Sequence, residues 1–273
     1  MTRQLSEAYP LSEAKAMTRL IFERLKGFTR ADLVLKGAQE AGDFIESKTA
    51  DIVKRLLDNE PIQYIFGIAD FYGMEFKVTP DVLIPRPETA ELVDIIVRDW
   101  RDRTDLRVAD LCTGSGCIAC ALARNLPFSE VTAIDISSPA LKIAQENANN
   151  LKVRINFINE DVLSMQPTPD AFDIIVSNPP YITEKEKSAM EPNVLEHEPS
   201  IALFVPDSDP LKFYRPISEF AAHSLAPKGR LYFEINPDYA QQICDLLKAD
   251  GFTDIEVIRD TSAKQRFIKA TYE

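Results

Sequence analysis

Asn178, Pro179, Pro180 and Tyr181 form a short run that can hold a planar amino group, and it directly follows an apolar stretch at residues 174–176. That stretch is typical of a buried strand in a parallel sheet. The prolines end it because they have no N–H and a fixed φ, and each biases the residue before it towards extended backbone. Open α/β sheets bind ligands at this end of a strand. There the Asn178 oxygen and backbone carbonyls can accept from an N–H₂ group, and Tyr181 can stack on its plane. The alternative is a proline-rich loop without chemistry.

A glycine-rich turn follows the predicted strand at 106–110 and opens a predicted helix. It comprises Cys112, Thr113, Gly114, Ser115 and Gly116. Glycine lets the backbone approach a ligand closely, and a helix N-terminus offers unpaired N–H groups. The spacing lacks the third glycine of the dinucleotide fingerprint. The turn therefore indicates a nucleotide-type site without specifying a dinucleotide.

Two aspartates end the next two predicted strands. Asp135 can accept both hydroxyls of a ribose, and the alternative is that it caps the helix that follows. Asp161 can accept the exocyclic amine of an adenine while Val162 covers the ring; the alternative is a simple turn aspartate. Since the carboxyl ends of parallel strands meet at one rim, we expect these side chains to lie near the glycine-rich turn.

The cysteines suggest one competing chemistry. Cys112, Cys117 and Cys120 have the C-x₄-C-x₂-C spacing of iron–sulfur ligands, with Cys244 as a fourth. However, two of them fall inside a predicted helix rich in Ile and Ala, where small buried side chains packing against a sheet are the better account. The two histidines form no zinc motif and no triad. We predict no metal.

Length and charge bound the class of protein. The 273 residues suggest two domains, or one large domain with an appendage, and the apolar content of 45% suffices for a core. The net charge of −12 argues against a broad phosphate-binding surface. No apolar run approaches membrane-spanning length, and from the polar first residues we expect no signal peptide. We expect a cytoplasmic monomer with reduced cysteines, no membrane contact and no direct contact with nucleic acid.

The second half of the chain alternates strands and helices. Strands are predicted at 106–110, 131–135, 155–158, 172–177, 230–235, 255–259 and 266–271, and helices at 116–125, 139–149, 210–224 and 239–249. This alternation predicts an α/β fold with a doubly wound, seven-stranded, mostly parallel sheet whose last two strands form an antiparallel pair. Before it, the first sixty or so residues have helical periodicity, with a capping box at Thr29–Asp32. A hairpin turning near Gly73 is predicted at 71–78.

The turn at 112–116 and the Asn-Pro-Pro-Tyr run together resemble class I methyltransferases that use S-adenosylmethionine. The blocks at 61–64, 71–73 and 78–89 are similar to a narrower family, the bacterial enzymes that methylate a glutamine side-chain amide in peptide-chain release factors. Segments at 197–199, 202–204 and 213–215 continue the match over nearly the whole chain. In that family the modified glutamine lies in the Gly-Gly-Gln loop of class I release factors.

The resemblance implies a role for each part of the chain. It divides the chain into a helical substrate-recognition domain at 1–66, a β-hairpin linker at 67–85 and a methyltransferase domain at 86–273. The implied S-adenosylmethionine contacts are Cys112, Thr113, Gly114, Ser115, Gly116, Asp135, Ile136, Asp161, Val162 and Asn178. The implied substrate contacts are Asn178, Pro179, Pro180, Tyr181, Arg86 and Glu88, of which Asn178, Pro179 and Tyr181 are also the catalytic set.

The chain departs from the family pattern at two positions. Cys112 stands where glycine is usual, which adds a Cβ in a tight turn. The segment 234–237 lacks the glycine often found after that strand, so Glu234 is assigned no role.

The implied reaction is methyl transfer to the glutamine N5 atom, with Asn178 and the Pro179 carbonyl aiming the amide nitrogen. Two alternatives remain open. A DNA adenine-N6 methyltransferase would present the same planar N–H₂, although it must flip its base and hold duplex phosphates. A non-catalytic adaptor that binds the cofactor is the other.

Overall fold

The computed structural model describes residues 1–36 and 42–273. These residues form two compact units. The smaller comprises Met1–Phe66 and Glu191–His197, and the larger comprises Gly67–Met190 and Glu198–Glu273.

The elements follow in chain order. The helices are α1 (Thr2–Leu5), α2 (Leu11–Lys26), α3 (Arg30–Lys36), α4 (Asp43–Leu57), α5 (Ile62–Phe66), α6 (Pro87–Trp100), α7 (Cys117–Asn125), α8 (Ser138–Leu151), α9 (Pro192–His197), α10 (Tyr214–Ser224) and α11 (Ala240–Ala249). The strands are β1 (Ile68–Phe71), β2 (Met74–Lys77), β3 (Arg107–Leu111), β4 (Glu130–Asp135), β5 (Ile155–Asn159), β6 (Phe172–Ser177), β7 (Ile182–Thr183), β8 (Phe204–Val205), β9 (Leu225–Glu234), β10 (Phe252–Arg259) and β11 (Gln265–Tyr272). Among the described helices, none has the length and apolar character needed to cross a membrane.

The smaller unit is helical, as its periodicity predicts. Ile21 of α2 and Leu56 of α4 are among the side chains of its buried core. The predicted capping box at the start of α3 is confirmed, because the Thr29 N–H donates to Asp32 over 3.0 Å and the Asp32 N–H donates back to the Thr29 hydroxyl over 3.2 Å.

The helix α9 belongs to this helical unit although it lies far along the chain. A ring nitrogen of His197 lies 3.2 Å from the Asp58 carbonyl oxygen, and Asn59 donates to Glu196 over 3.3 Å. No local pattern in the sequence predicts this return of the chain.

The sheet of the larger unit has the strand order β10-β11-β9-β6-β3-β4-β5. The strands β5, β4, β3, β6 and β9 pair in parallel, and β11 is antiparallel to both of its neighbours. The predicted seven-stranded, mostly parallel fold is therefore confirmed. The chain runs outward from β3 through β4 to β5, and then returns to the other side of β3 at β6. Such a reversal opens a crevice at the carboxyl ends of the two strands.

Helices cover both faces of this sheet. Ile174 and Val176 of β6 point to the cluster that includes α6 and α7, whereas Ile175 points to the cluster that includes α10 and α11. All three side chains are fully buried, and burial of each stabilises the fold by about 1.5–3 kcal/mol. A continuous apolar run is therefore what this central strand requires.

The hairpin β1–β2 packs into the larger unit. Its turn has φ values of 48° at Tyr72 and 72° at Gly73, and Phe71 and Phe76 lie in the buried cluster on the α6 and α7 side. The segment predicted as a linker thus begins with a hairpin that contributes to the core. Asn147 of α8 connects this hairpin to the crevice, because its side-chain N–H₂ donates to the Lys77 carbonyl over 3.0 Å and to the Ser115 carbonyl over 2.9 Å.

Candidate active site

A cavity of about 330 Å³ opens at the carboxyl ends of β3, β4, β5 and β6. The predicted residues that line it are Arg86, Cys112, Thr113, Gly114, Ser115, Asp135, Ile136, Asp161, Val162, Asn178 and Pro180. The predicted residues Gly116, Pro179, Tyr181 and Glu88 are not part of its lining. The structure therefore brings most of the candidates to one rim, as the parallel sheet requires.

The glycine-rich turn has left-handed backbone at three positions. The φ values are 61° at Cys112, 54° at Gly114 and 78° at Gly116. A Cβ added at Gly116 would lie 2.9 Å from the Cβ of Ala144 in α8, whereas one added at Gly114 would meet nothing within 4 Å. Gly116 thus allows α7 to pack closely on α8, and Gly114 faces the open cavity.

These two glycines give a matched pair of stability variants. Gly114→Ala should lower the free energy of unfolding by about 1 kcal/mol, the cost of left-handed backbone for a residue with a Cβ. Gly116→Ala should lower it by about 2–4 kcal/mol because the clash with Ala144 adds to that cost. Urea unfolding of both variants measures the difference. Equal losses in the free energy of unfolding would show that the clash with Ala144 of α8 adds no cost at Gly116.

Asp110 at the end of β3 is a fully buried carboxylate beneath this turn. Its Oδ2 accepts from the Thr113 hydroxyl over 2.6 Å and from the Ala119 N–H over 3.1 Å, while its Oδ1 has no partner. Burial raises the pKa of Asp110 to about 7, against the lowering effect of these two hydrogen bonds.

This raised pKa predicts a pH-dependent stability. Because the folded state holds the Asp110 proton more tightly than the unfolded state, the stabilising contribution of that proton is present at low pH and is lost as pH rises through about 7. The free energy of unfolding of the wild type should therefore fall relative to that of Asp110→Asn between about pH 4 and pH 7, by up to ~1.4 kcal/mol per pH unit. Thermal melts of both proteins test this, and a constant difference across pH would contradict it.

Asp135 at the end of β4 is held by backbone N–H groups on both oxygens. Its Oδ2 accepts from Gly114 over 2.8 Å and its Oδ1 accepts from Ser137 over 2.9 Å. Burial raises the pKa of Asp135, and its backbone hydrogen bonds oppose that shift. The N-cap of α8 is Ser137, whose hydroxyl accepts from the Ala140 N–H over 3.2 Å. The alternative that Asp135 caps this helix is therefore wrong.

The end of β5 adds an apolar wall and a turn carboxylate. The Oδ1 of Asp161 accepts from the Leu163 N–H over 2.9 Å, which is the geometry of a turn aspartate. The same residue lines the cavity together with the buried Val162. Ile136 and Leu163 line it as well, and they are 50% and 41% exposed. Apolar side chains left open at a cavity are suited to a planar ring.

The Asn-Pro-Pro-Tyr run lies at the end of β6, where the Ser177 hydroxyl donates to the Leu111 carbonyl over 2.7 Å and joins the ends of β6 and β3. The Asn178 side-chain N–H₂ donates to the Thr89 hydroxyl over 3.3 Å. The Tyr181 hydroxyl donates to Glu234 over 3.1 Å. Stacking of Tyr181 on a substrate amide stays a prediction.

Arg86 at the rim is held by Glu198. Its guanidinium lies 2.6 Å from Glu198 Oε1, and the Ile84 N–H donates to the other oxygen over 3.2 Å. Glu198 is a buried carboxylate, so this ion pair holds the Arg86 side chain in place at the N-terminus of α6.

Part of the cavity lining was not predicted from the sequence. Ile201, Ala202, Lys212 and Phe213 line the cavity, and Lys212 Nζ lies 5.3 Å from the centre of the Phe213 ring. Of these, only Ala202 and Phe213 belong to the segments of the family match, and no periodicity places a long connecting segment at a rim.

The four cysteines are free and divided between the faces of the sheet. Cys117 and Cys120 pack in the α6 and α7 cluster, whereas Cys112 and Cys244 pack in the α10 and α11 cluster. One iron–sulfur cluster cannot be bound from both faces, so that alternative is wrong. Within residues 1–36 and 42–273, no group of three or more metal-ligating side chains is found.

The lining fits a nucleoside that carries an amino-acid tail. Asp135 and the apolar side chains at 136 and 162 are suited to a ribose and a base. The unpaired Oδ1 of Asp110 lies beneath the turn that would receive a charged ammonium tail. A cavity of about 330 Å³ is within the range of small-molecule sites.

Comparison with known proteins agrees with this chemistry. The Methyltransferase small domain model matches residues 91–197, and the PrmC N-terminal domain model matches residues 1–67. A solved methyltransferase from Pyrococcus furiosus shares the fold, with a TM-score of 0.53 and 16% identity, covering 80% of this chain and 96% of its own. Fold and site define a class I methyltransferase that uses S-adenosylmethionine.

Two curated relatives are named release factor glutamine methyltransferase. The one from Bacteroides thetaiotaomicron is 46% identical, covering 98% of this chain and 96% of the relative, and the one from Flavobacterium psychrophilum is 40% identical, covering 98% and 95%. The chain belongs to the release factor glutamine methyltransferase family.

Proposed function

We propose that this enzyme methylates the N5 atom of the glutamine in the Gly-Gly-Gln loop of class I release factors. The observation that carries the proposal concerns Asn178, which follows the carboxyl end of β6 and lines the cavity. Its side-chain N–H₂ donates a hydrogen bond to the Thr89 hydroxyl. Its oxygen then remains to accept a hydrogen bond from a substrate amide. Family membership supports the same substrate.

The amide nitrogen of glutamine is a poor nucleophile because its lone pair is delocalised into the carbonyl. S-adenosylmethionine would supply the methyl group from its positively charged sulfur, whose S–CH₃ bond breaks to leave a neutral thioether, and the methylated nitrogen then loses one proton to solvent. The chain contributes orientation: the Asn178 oxygen and the Pro179 carbonyl accept the two amide N–H bonds and direct the nitrogen. The fixed φ of the two prolines keeps both acceptors in place without reorganisation.

The proposed cofactor contacts follow the cavity wall. The turn from Cys112 to Gly116 receives the methionine part, Asp135 and Ile136 receive the ribose, and Asp161 with Val162 receives the adenine. The Cβ at Cys112 is accommodated at the cost of left-handed backbone. On the substrate side, Pro180, Tyr181, Arg86 and Glu88 are proposed to shape the entrance.

We also propose that the helical unit recognises the release factor. Its supporting observation is that the cavity is lined from residue 82 onward, and none of the described residues at 1–36 and 42–66 is among the lining residues. The three domain boundaries, a monomeric state and a cytoplasmic location belong to the same proposal.

The test is methylation with labelled S-adenosylmethionine. The full-length enzyme is incubated with an intact release factor, with a variant whose loop glutamine is alanine, and with adenine-containing duplex DNA. Label is expected on the intact release factor alone. Label on the DNA, or equal label on the alanine variant, would overturn the proposal, and no label with any acceptor would favour the adaptor.

A further inference from the structure

A chain of hydrogen bonds runs from Asn178 into the protein core. The Asn178 N–H₂ contacts the Thr89 hydroxyl at 3.3 Å, and Thr89 donates to Glu234 Oε2 over 2.7 Å. The other Glu234 oxygen accepts from the Tyr181 hydroxyl over 3.1 Å. Thr89 and Glu234 are 3% and 2% exposed, so water cannot substitute for these partners.

The direction of these hydrogen bonds is fixed by Glu234. An ionised carboxylate only accepts, and it takes the single proton of the Thr89 hydroxyl in a short, charge-assisted bond. The Thr89 oxygen is then left as an acceptor towards Asn178. Of the two ends of the Asn178 amide, only the N–H₂ end can donate to it, so the oxygen end is turned to the cavity.

Each oxygen of the Glu234 carboxylate accepts from a hydroxyl group, and the net effect of its surroundings is a raised pKa. Burial raises the pKa of Glu234, and Glu88 acts in the same direction. The hydrogen bonds from Thr89 and Tyr181 and the charge of Arg266 lower it. Arg266 is itself paired with Asp260 over 3.2 Å, which keeps the cation beside this end of the sheet.

We infer that Glu234 is a positioning residue that acts through Thr89 to turn the Asn178 amide, so that the cavity presents an oxygen and selects an N–H₂ group over a carboxylate. The inference rests on the proposed function and adds a cause for its selectivity. A site with two acceptors pairs with a glutamine amide, whereas it repels the carboxylate of a glutamate at the same position.

The main test uses Thr89→Val, which keeps the shape of the side chain and removes the hydroxyl. The Asn178 amide is then free to reverse. We expect turnover to fall about 10–100-fold, with cofactor affinity changed less than about threefold. Thr89→Ser keeps the hydroxyl and should restore turnover to within a few-fold of the wild type. The preference for a Gly-Gly-Gln over a Gly-Gly-Glu release factor in binding should fall at least about tenfold in Thr89→Val.

A double-mutant cycle separates positioning from simple stabilisation. If Glu234 acts through Thr89, then Glu234→Gln in the Thr89→Val background should cost no further turnover. The matched control is Asp99→Asn, because Asp99 of α6 accepts from Tyr232 of β9 over 3.0 Å and so joins the same two elements away from the cavity. The control should lower the melting temperature and leave turnover and the glutamine preference unchanged.

A readout on the enzyme alone keeps this inference separate from the proposed function. With ¹⁵N-labelled asparagine, the Asn178 side-chain N–H₂ protons should exchange slowly with solvent in the wild type. They should exchange faster in Thr89→Val and in Glu234→Gln. Wild-type inactivity on release factor would overturn the proposed function, whereas this exchange measurement would still decide the orientation. Unchanged exchange together with an unchanged glutamine preference in Thr89→Val would overturn the inference.

Discussion

Replacing Asn178 with alanine should lower turnover on a release factor by roughly 10²–10³-fold, like the loss of one preorganised hydrogen-bond partner in other active sites. The two prolines that follow remain, so the turn at the end of β6 should survive and cofactor should still bind. The change removes one of the two acceptors that orient the amide nitrogen. Single-turnover methylation measures the effect on the chemical step directly.

Asn178→Asp is the informative companion. Both ends of its side chain are oxygen, so it retains an acceptor in either orientation and should be more active than alanine despite its charge. For the same reason, Thr89→Val should have little further effect in this background. Asn125→Ala is the matched control, since Asn125 donates to the Ala121 carbonyl at the far end of α7. Wild-type turnover in Asn178→Ala would contradict the role given to Asn178.

Replacing Asp135 with alanine should weaken cofactor binding by about 1.5–3 kcal/mol, the usual range for hydrogen bonds to a charged group. The structure adds a second reason for a loss: the same carboxylate accepts from the Gly114 N–H and holds the turn that lines the cavity. Calorimetric titration of S-adenosylmethionine into each variant measures the effect.

The control for Asp135 is Ser137→Ala, which removes the N-cap of α8 and retains the carboxylate. It should lower the free energy of unfolding by about 1 kcal/mol and leave cofactor affinity within a few-fold. Equal losses of affinity in the two variants would mean that the local backbone, and not the carboxylate, determines binding.

The sequence predicted the strands around the cavity because each has a local signal. The apolar run at 174–176 and the prolines after it place both the strand and its end, and the glycine-rich turn does the same for β3. The parallel order then brings Asp135 and Asp161 to the same rim without further information. The fold and most of the candidate site follow from such local signals.

No role could be predicted for Glu234 because its hydrogen-bond partner is not near it in the sequence. Its partner Thr89 is 145 residues away in the chain, and the pair exists only once α6 packs against β9. In sequence it is a carboxylate at the end of an apolar strand, and only the buried chain to Asn178 indicates a role. Segment 191–197 could not be placed for the same reason, since its contacts are with residues 58 and 59.

That segment has a practical consequence for dividing the protein. The chain passes between the two compact units at three points, after residues 66, 190 and 197. A gene shortened to begin at residue 67 would still encode α9, a helix of 6 residues, but not residues 58 and 59, with which it forms hydrogen bonds. An autonomous methyltransferase fragment therefore needs a second excision, with a short flexible bridge in place of residues 191–197. Likewise, a helical unit expressed by itself lacks one of its own pieces unless that helix is supplied as a peptide.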